Sequence, residues 1–358
     1  MFRFGDPGGR MYQVAGTGNV NILANWNAVN GNGWSVVAGQ GRSGGTCLRY
    51  NSGGGNAVLS KGLPDNQATL GCAFAFRCAN VTAAQSGNGN YIMNFNDAGY
   101  SQIKLCLDNT GALRVLNGSN TVLSTIPGAV TNNVWVHIEV KVTFHGTLGV
   151  VTLWLNGVQK INLTGVNTSY SGNNWANTFQ IGDGWGFGVN LDWDDVILYD
   201  GQTTDANGNP DITGPVGDCN LVWLLPTGAG TTTQWTPDSG SNYARVNEAT
   251  PDGDTSYVIS QTVGQIDTYV LADLPGSIVT VKSLATAHYA RKDDVGTRAF
   301  KSELRSAGGN AVHPTPISPL TSYQYWLSTW GQNPNNGSPI PWTPATVNAL
   351  EAGQNLSS

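Results

Sequence analysis

The stretch Val136-His-Ile-Glu-Val-Lys-Val-Thr-Phe144 alternates apolar and polar residues without a break. Its even positions are all apolar, and its odd positions are His137, Glu139, Lys141 and Thr143. A period of two residues is typical of a β-strand with one buried face. The stretch therefore predicts a strand whose apolar side packs in a core, with Glu139 on the solvent side next to Lys141.

Two predicted hairpins flank this strand. In the first, Ile103, Leu105 and Leu107 lead into the turn Asp108-Asn-Thr-Gly111, and in the second residues 151–155 lead into Asn156-Gly157. Asn-Gly accepts the positive φ angles of a type I′ turn, which is a strong hairpin signal. Together with 47 glycines and only 11% charged residues, these turns predict an all-β chain of short strands.

The composition changes between residues 200 and 217, where Gly, Asn, Asp and Thr dominate. Such a stretch is typical of a boundary between domains. We therefore predict two tandem β-sandwich domains, residues 1–201 and 218–358, joined by a linker over residues 202–217. One short helix is expected near the C-terminus, with Thr343 as N-cap, Pro344 at the first helical position and Gly353 as terminator.

The charge and the apolar pattern exclude several partners. The formal net charge is −6 without a basic patch, so nucleic acid is not expected as a partner. No apolar run approaches the roughly 20 residues of a membrane helix, and no apolar signal segment follows Met1. We therefore expect no membrane partner. The five cysteines have no zinc spacing and are expected to be free thiols of a protein made in a reducing cytoplasm.

Several segments of the first domain resemble the LamG-type, concanavalin-like jelly roll. They are residues 135–144, residues 151–158 and the stretch Leu191-Asp-Trp-Asp-Asp-Val-Ile-Leu-Tyr-Asp-Gly201. The resemblance spans residues 10–201 and implies a jelly-roll fold for that domain.

Short motifs of the second domain resemble those of virion structural proteins of tailed bacteriophages. They include Leu224-Leu-Pro-Thr-Gly228, Gln234-Trp-Thr-Pro237, Ala272-Asp-Leu-Pro275 and Ala290-Arg-Lys-Asp-Asp-Val-Gly-Thr-Arg298. The resemblance implies a non-enzymatic structural component of a virion, made in the host cytoplasm, whose partners are other virion proteins and copies of itself. A capsid decoration protein is the first expectation, and a tail or fibre component is the alternative.

A carbohydrate-binding adhesin and a glycoside hydrolase are the remaining alternatives. A retaining hydrolase needs two carboxylates about 5–5.5 Å apart. Residues 1–240 contain a single glutamate, Glu139, whose neighbours on the same side of its strand are His137 and Lys141. No catalytic residue is therefore assigned, the chain is not expected to be an enzyme, and the hydrolase is the least favoured alternative.

Two groups of side chains are candidates for contact with a partner. The aromatic residues that could stack on a host-surface glycan or pack in a subunit contact are Trp175, Trp185, Phe187 and Trp193. The basic residues that predict either a docking loop or a hairpin tip with local ion pairs are Arg291, Lys292 and Arg298.

One acidic cluster is a candidate calcium site. Asp192 and Asp194 share a face of their predicted strand, and Asp195 is expected to point the other way. Two carboxylates with nearby amide or carbonyl oxygens could hold Ca²⁺. Alternatively, these carboxylates accept hydrogen bonds from loop backbone groups. No other cofactor is expected.

Overall fold

The computed structural model describes residues 11–15, 26, 28–30, 32–51, 57–183, 188–201, 214–248, 251–306, 309–334 and 338–358. Their regular structure is almost entirely β, which confirms the expected all-β class. They divide into two compact units, here called the first unit (residues 9–202 and 213–221) and the second unit (from Val222 to Ser358). The strands are numbered β1 to β24 in chain order.

Two antiparallel sheets form the first unit. In spatial order, the first sheet consists of β13 (Val158–Val166), β12 (Gly149–Leu155), β11 (Val136–Thr143), β6 (Thr69–Cys78), β15 (Asn190–Tyr199), β4 (Cys47–Asn51) and β3 (Trp34–Val37), and β1 (Met11–Ala15) also pairs with β15. The second sheet consists of β10 (Val122–Ile126), β9 (Leu113–Asn117), β8 (Tyr100–Leu107), β7 (Asn90–Asp97), β14 (Ala176–Asp183), β5 (Ala57–Gln67) and β2 (Ala28–Asn30). A short 3-10 helix covers Val81–Ala83.

Aromatic side chains from both sheets of the first unit pack between them. Phe144, which follows β11, contacts Phe95 of β7 edge-on, with 5.9 Å between the ring centroids. Phe95 also contacts Phe179 of β14 at 5.9 Å, and Trp193 of β15 contacts Phe76 of β6 at 5.2 Å. All five rings are buried, and each contributes about 1.5–3 kcal/mol by leaving water. This sandwich confirms the expected jelly-roll architecture.

Strand β11 forms as predicted, but its polar side is buried as well. Glu139 is 0% exposed, so the expectation that it faces solvent is wrong. The reason is that residues 214–221 lie over this side of the sheet, where the backbone N–H groups of Val216 and Gly217 donate to the Glu139 carboxylate at 2.8 and 3.0 Å. Residues 213–221 belong to the first unit, so this covering segment is part of it.

A β-bulge redirects the side chain of Asp195. The pairing of β15 with β6 shifts register between Asp194 and Ile197, and Asp195 has a φ of 50°. Its carboxylate accepts a hydrogen bond from the Leu221 backbone at 2.8 Å and lies 4.0 Å from the Arg42 guanidinium. Asp194 accepts a hydrogen bond from the Arg42 backbone at 2.8 Å. The expectation that Asp195 points away from Asp194 is therefore wrong, because a bulge re-aims the side chains it contains.

The second unit is built around a smaller antiparallel sheet. In spatial order this sheet consists of β16 (Pro226–Thr233), β19 (Ile266–Leu271), β24 (Glu351–Leu356), β21 (Phe300–Ser306) and β22 (Gly309–Val312). Two strand pairs accompany it, β17 (Thr236–Pro237) with β18 (Val258–Ile259) and β20 (Leu284–Ala290) with β23 (Gln324–Trp330). Short 3-10 helices cover Asn242–Arg245 and Gly253–Thr255. One core cluster consists of Leu304, Trp330, Trp342, Val347 and Leu350.

The short helix expected near the C-terminus is confirmed as α1 (Pro344–Asn348). Thr343 caps it, since its hydroxyl accepts a hydrogen bond from the Thr346 backbone at 3.2 Å. Gly353 does not terminate the helix, as was expected, but lies within β24. A Cβ at Gly353 would overlap the carbonyl oxygen of Asp267 on the neighbouring strand β19, so the close approach of two strands explains this glycine.

Two further findings bear on the sequence expectations. All five cysteines are free thiols, as expected, and four of them are buried. Within the described residues, no helix is both long enough and apolar enough to span a membrane.

Candidate functional site

The outer side of the second sheet of the first unit carries a line of polar side chains that crosses four neighbouring strands. The register pairs Ser60 of β5 with Gln180 of β14, Gln180 with Asn94 of β7, and Asn94 with Lys104 of β8. Directly paired residues point to the same side of a sheet, with Cβ atoms about 4.5–5.5 Å apart. We call Ser60, Gln180, Asn94 and Lys104 the polar row.

The residues that alternate with the polar row point the other way. The sequence neighbours of Ser60, Gln180 and Asn94 are Leu59, Ile181 and Phe95. All three neighbours are fully buried. Because side chains alternate along a strand, a row of polar residues between buried apolar ones marks the outer side of the sheet. The core of the sandwich therefore fixes the direction of the polar row.

Hydrogen bonds connect three members of the polar row, Ser60, Gln180 and Asn94, into a network with Asn96 and Ser101. Gln180 donates through Nε2 to the Ser60 hydroxyl at 2.9 Å, and its Oε1 accepts from Asn96 Nδ2 at 2.6 Å and from Asn94 Nδ2 at 3.3 Å. Asn94 Nδ2 also donates to the Ser101 hydroxyl at 2.9 Å. Such a network holds each amide in a defined orientation.

Two amide oxygens of this network have no protein partner. The Oδ1 atoms of Asn94 and Asn96 are buried without a hydrogen bond among the described residues. Rotating the amides of Asn94, Asn96 and Gln180 together by half a turn keeps every bond of the network, because Gln180 then donates to both asparagine oxygens and accepts from Ser60. The unpartnered atoms become Nδ2 groups in that arrangement. In either arrangement the two buried amide ends lack a hydrogen-bond partner among the described residues.

Lys104 lies at the end of the polar row. Its side chain is half-buried, and its Nζ donates to Oδ1 of Asn120 at 2.6 Å. Burial lowers the pKa of Lys104 below the usual value for lysine, because a low-dielectric environment disfavours the charged amine. A lowered pKa favours the neutral amine, which is the form of lysine that acts as a general base.

Two exposed tyrosines lie beside this network. Tyr100 and Tyr170 are 58% and 54% exposed, and their ring centroids are 6.5 Å apart. A Cβ at Gly118 would overlap both the Ser101 carbonyl oxygen and the Tyr170 side chain, so Tyr170 lies next to Ser101. Exposed aromatic rings next to polar side chains can provide apolar contact for a ligand whose edges form hydrogen bonds.

Trp175 holds the loop that precedes β14. Its indole N–H donates to Asp97 Oδ1 at 3.1 Å, and its carbonyl oxygen accepts from Gln102 Nε2 at 2.9 Å. Asp97 Oδ2 accepts from Ser171 and Asn173, each at 2.7 Å. The polar part of Trp175 is thus used to anchor the loop.

The predicted aromatic platform does not form as one surface. Trp193 is 0% exposed and contacts Phe76 and Trp34 in the core, at 5.2 and 5.4 Å between ring centroids. Trp193 therefore cannot stack on a sugar, and its prediction as a ligand residue is wrong. Trp185 and Phe187 lie outside the described residues.

The carboxylates of the acidic cluster accept hydrogen bonds from arginine side chains and from backbone N–H groups. Asp192 Oδ1 accepts from Arg49 Nε at 2.6 Å, and Oδ2 accepts from Arg49 at 2.9 Å and from Arg77 at 2.6 and 2.9 Å. Asp194 accepts from the backbone N–H groups of Arg42 and Asp195 at 2.8 and 2.9 Å. Within the described part of the chain, no group of three or more His, Cys, Asp or Glu residues is arranged to hold a metal. The calcium hypothesis for Asp192 and Asp194 stays a prediction to which this geometry adds no support.

Several ionisable side chains are buried under residues 214–221. His137 has no hydrogen bond at either ring nitrogen among the described residues, and burial lowers its pKa to about 4. Burial, followed by the charge of Asp194, raises the pKa of Asp195 to about 7. Arg42 forms an ion pair with Asp218 on the covering segment. This cluster holds residues 214–221 on the first sheet and lies on the opposite side of the sandwich from the polar row.

The three basic residues of the predicted docking loop, Arg291, Lys292 and Arg298, have partners within the second unit. Arg291 binds Asp254 at 2.9 Å and lies over the ring of Tyr323 at 5.3 Å. Arg298 binds Asp294 at 2.8 Å, and Lys292 donates to the carbonyl oxygen of Gly296 at 2.8 Å. The ion pair of Arg298 with Asp294 is local, whereas Asp254 lies 37 positions from Arg291. The docking loop and the hairpin tip both stay predictions.

The residues of the polar row were not singled out in the sequence, although a signal exists. Asn94 and Asn96 flank Phe95, and Lys104 lies between two apolar residues, so each strand has the alternation of an amphipathic strand. That alternation shows a polar side on each strand. It does not show that Gln180 and Asn94, which are 86 positions apart, lie on neighbouring strands.

Comparison with known proteins gives structural similarity only. No protein-family model matches the chain, and no curated protein matches it. An endo-β-1,4-glucuronan lyase from the fungus Trichoderma reesei is 16% identical with a TM-score of 0.40, covering 52% of this chain and 94% of that one. Alginate lyase Aly36B is 11% identical with a TM-score of 0.37, covering 52% and 96%. A carbohydrate esterase from the Shiga toxin-encoding bacteriophage phi24B is 16% identical with a TM-score of 0.34, covering 48% and 88%.

These comparisons correct two expectations. The similar structures are two polysaccharide lyases and a carbohydrate esterase, whereas a non-enzymatic structural component of a virion was expected. Neither that structural role nor the absence of catalysis is therefore retained. At identities of 11–16% and TM-scores of 0.34–0.40, these similarities carry no argument about the reaction of this chain, whose chemistry is argued from its own residues.

Proposed function

We propose that the first unit binds a uronic-acid polysaccharide along the polar row and cleaves it by β-elimination, with Lys104 as the general base. The observation that carries this proposal is the position of Lys104, which is paired directly with Asn94 at the end of a hydrogen-bonded row of neutral amides. A base next to amide donors is what elimination beside a carboxylate requires.

The binding part of the proposal follows from the composition of the row. Amide and hydroxyl groups donate and accept hydrogen bonds without a net charge, as sugar hydroxyls do. Four adjacent strands span about 14 Å, since neighbouring strands are about 4.8 Å apart, which is enough for more than one sugar ring. Tyr100 and Tyr170 would add apolar contact to ring faces at the edge of this surface.

The catalytic part of the proposal uses three groups. Lys104 accepts the proton from the ring carbon that bears the uronate carboxyl group. The amide ends of Asn94 and Asn96 are buried, so this step requires their side chains to turn towards the surface with Nδ2 outermost. They then donate to the carboxylate while negative charge builds on it. The bond from the next ring carbon to the glycosidic oxygen then breaks, a carbon–carbon double bond forms in the sugar, and the departing oxygen takes a proton from the Tyr170 hydroxyl or from water. No water molecule is added across the bond that is cleaved.

The test is digestion of defined polysaccharides by the full chain. Alginate, glucuronan and polygalacturonate are the acidic substrates, and xylan is a neutral comparison. We expect ultraviolet absorbance from an unsaturated uronate product with at least one acidic polysaccharide, and none with xylan. Lys104→Ala should abolish this absorbance, whereas Lys160→Ala, at an exposed lysine of the first sheet, should leave it unchanged.

Two results would overturn the proposal. The first is the absence of cleavage with all of the acidic polysaccharides. The second is equal turnover by Lys104→Ala and the unaltered chain, because a base that touches the reacting carbon cannot be removed without loss of rate.

A further inference from the structure

Asn120 holds the amine of Lys104 through the hydrogen bond of 2.6 Å between Nζ and Oδ1. Lys104 lies on β8, and Asn120 lies in the turn between β9 and β10. A lysine amine sits on a flexible stem of four carbons, so its position is undefined unless its end is held. Among the described residues, Asn120 is the hydrogen-bond partner that fixes the Lys104 amine.

The backbone of the turn places the Asn120 side chain. Asn120 has a φ of 65°, a left-handed conformation that asparagine adopts more readily than most residues. Its N–H donates to the Asn117 carbonyl oxygen at 3.0 Å, and its own carbonyl oxygen accepts from Asn88 Nδ2 at 3.1 Å. Asn117 Oδ1 also accepts from the Thr121 backbone at 3.0 Å. These bonds make Asn120 a positioned acceptor on an ordered turn.

The surroundings of Lys104 carry little net charge. Cys106 follows it on β8, and burial raises the pKa of this thiol to about 12, so it is neutral under ordinary conditions. Arg114 of β9 is paired with Cys106 in register and binds Asp108 at 2.7 Å, so these two charges compensate each other. Asn120 adds an acceptor without adding a charge. An aspartate in its place would favour the protonated amine, as an opposite charge within about 4–6 Å does.

We propose that Asn120 is a positioning residue that holds the Lys104 amine in the polar row through an uncharged acceptor, and that this lack of charge keeps the amine able to accept a proton. The base role of Lys104 rests on the proposed function. The effect of Asn120 on the protonation of Lys104 does not, because it follows from the hydrogen bond alone. Asparagine is therefore suited to this position in a way that aspartate, of nearly the same shape, is not.

The first experiment measures the titration of Lys104 directly. The chain has seven lysines, so the side-chain amine signals are few enough for isotope-labelled NMR, with Lys104 assigned from Lys104→Arg. We expect Asn120→Asp to raise the pKa of Lys104 by about one unit or more, as ion pairing does. The matched control is Asn133→Asp, at an exposed asparagine with a φ of 60°, which should leave the Lys104 signal unchanged. A Lys104 titration that Asn120→Asp does not move would overturn the proposal.

The second experiment uses activity. Asn120→Gly removes the side chain and keeps the left-handed backbone, so the fold is expected to persist. We expect kcat to fall at least about tenfold with little change in KM, since the base loses its position while the binding surface remains. Asn120→Asp should move the rise of kcat/KM to higher pH by the shift measured with NMR. An unchanged kcat in Asn120→Gly would overturn the positioning role. Absence of turnover by the unaltered chain would contradict the proposed function, while the NMR titration would still decide whether Asn120 controls the protonation of Lys104.

Discussion

Asn96 and Gln180 join two neighbouring strands of the second sheet through a hydrogen bond of 2.6 Å from Nδ2 to Oε1. The same Oε1 atom accepts from Asn94 at 3.3 Å, so Gln180 is the shared acceptor of the network. The orientation of both asparagine amides therefore depends on a single side chain. The ligand contacts proposed for the two asparagines therefore depend on Gln180.

Removal of this shared acceptor should weaken polysaccharide binding. We expect Gln180→Leu to lower affinity by about tenfold or more, which corresponds to the loss of one or two hydrogen bonds. The free energy of unfolding should fall by about 1–3 kcal/mol, because the asparagine amides lose a partner at a buried site. Calorimetric titration and urea unfolding provide the two readings. Gln159→Leu, at an exposed position of β13, is the control, and equal affinity in the two variants would contradict a role for the network in binding.

The free energy of unfolding should depend on pH through two groups buried under residues 214–221, His137 and Asp195, whose effects oppose each other. The lowered pKa of His137, about 4, contributes stability that is present above its unfolded pKa of about 6.5 and is lost as the pH falls towards 4. The raised pKa of Asp195, about 7, contributes stability that is present below about 3.8 and is lost as the pH rises towards 7. Between pH 4 and 6.5 the two contributions have opposite slopes and largely cancel.

Single variants should expose each slope. We expect the unfolding free energy of Asp195→Asn to rise with pH between about 4 and 6.5, and that of His137→Phe to fall, each changing by up to about 1.4 kcal/mol per pH unit relative to the unaltered chain. Urea unfolding at several pH values measures both. Slope changes of the same sign in the two variants would be incompatible with this account.

Substitution of Trp193 should lower stability, whereas substitution of Tyr170 should lower polysaccharide affinity. Trp193→Phe shrinks a fully buried ring, so we expect a loss of about 1–3 kcal/mol in unfolding free energy and no change in polysaccharide affinity. Tyr170→Ala removes a half-exposed ring beside the polar network, so we expect weaker binding and little change in stability. Thermal unfolding and calorimetry on the same samples separate the two effects. Reduced affinity in Trp193→Phe alone would place the ligand elsewhere.

Glu139 should control the attachment of residues 214–221. Its carboxylate accepts hydrogen bonds from Tyr199 at 2.6 Å and from the backbone of Val216 and Gly217. We expect Glu139→Ala to speed hydrogen exchange at the Val216 and Gly217 amides at least about tenfold, because these donors lose their acceptor. Exchange in β8 should not change. Protection at Val216 and Gly217 that equals that of the unaltered chain would show that other contacts hold the segment.

The local sequence pattern predicted the strands, whereas the burial and the partners of the polar side chains depend on contacts between distant parts of the chain. The alternation around β11 identified the strand, but Glu139 was placed in solvent because its covering segment lies 77 positions further along the chain. A tryptophan such as Trp193 suits a sugar-binding surface and a core equally well. Only the pairing of β15 with β6 shows that Trp193 lies in the core. A bulge in the same strand turned Asp195, which a strict period of two cannot anticipate.

The resemblance of the second domain to phage proteins implied a non-enzymatic structural role, which is not retained, and a location in a virion. The architecture is all-β, as expected. Residence in a virion, and partners among virion proteins and copies of the chain, stay predictions and are separate from the reaction proposed for the first unit. Mass spectrometry of purified phage particles would detect the chain there in many copies, and its absence from particles would contradict that location.

The masses of the cleavage products test the central claim most directly. An acidic oligosaccharide of defined length is digested by the full chain, and the two products are weighed by mass spectrometry. Elimination at Lys104 predicts two products whose masses add up to that of the substrate, and no products from Lys104→Ala. A pair of products whose masses together exceed that of the substrate by one water would show that water was added across the bond, and would contradict the account.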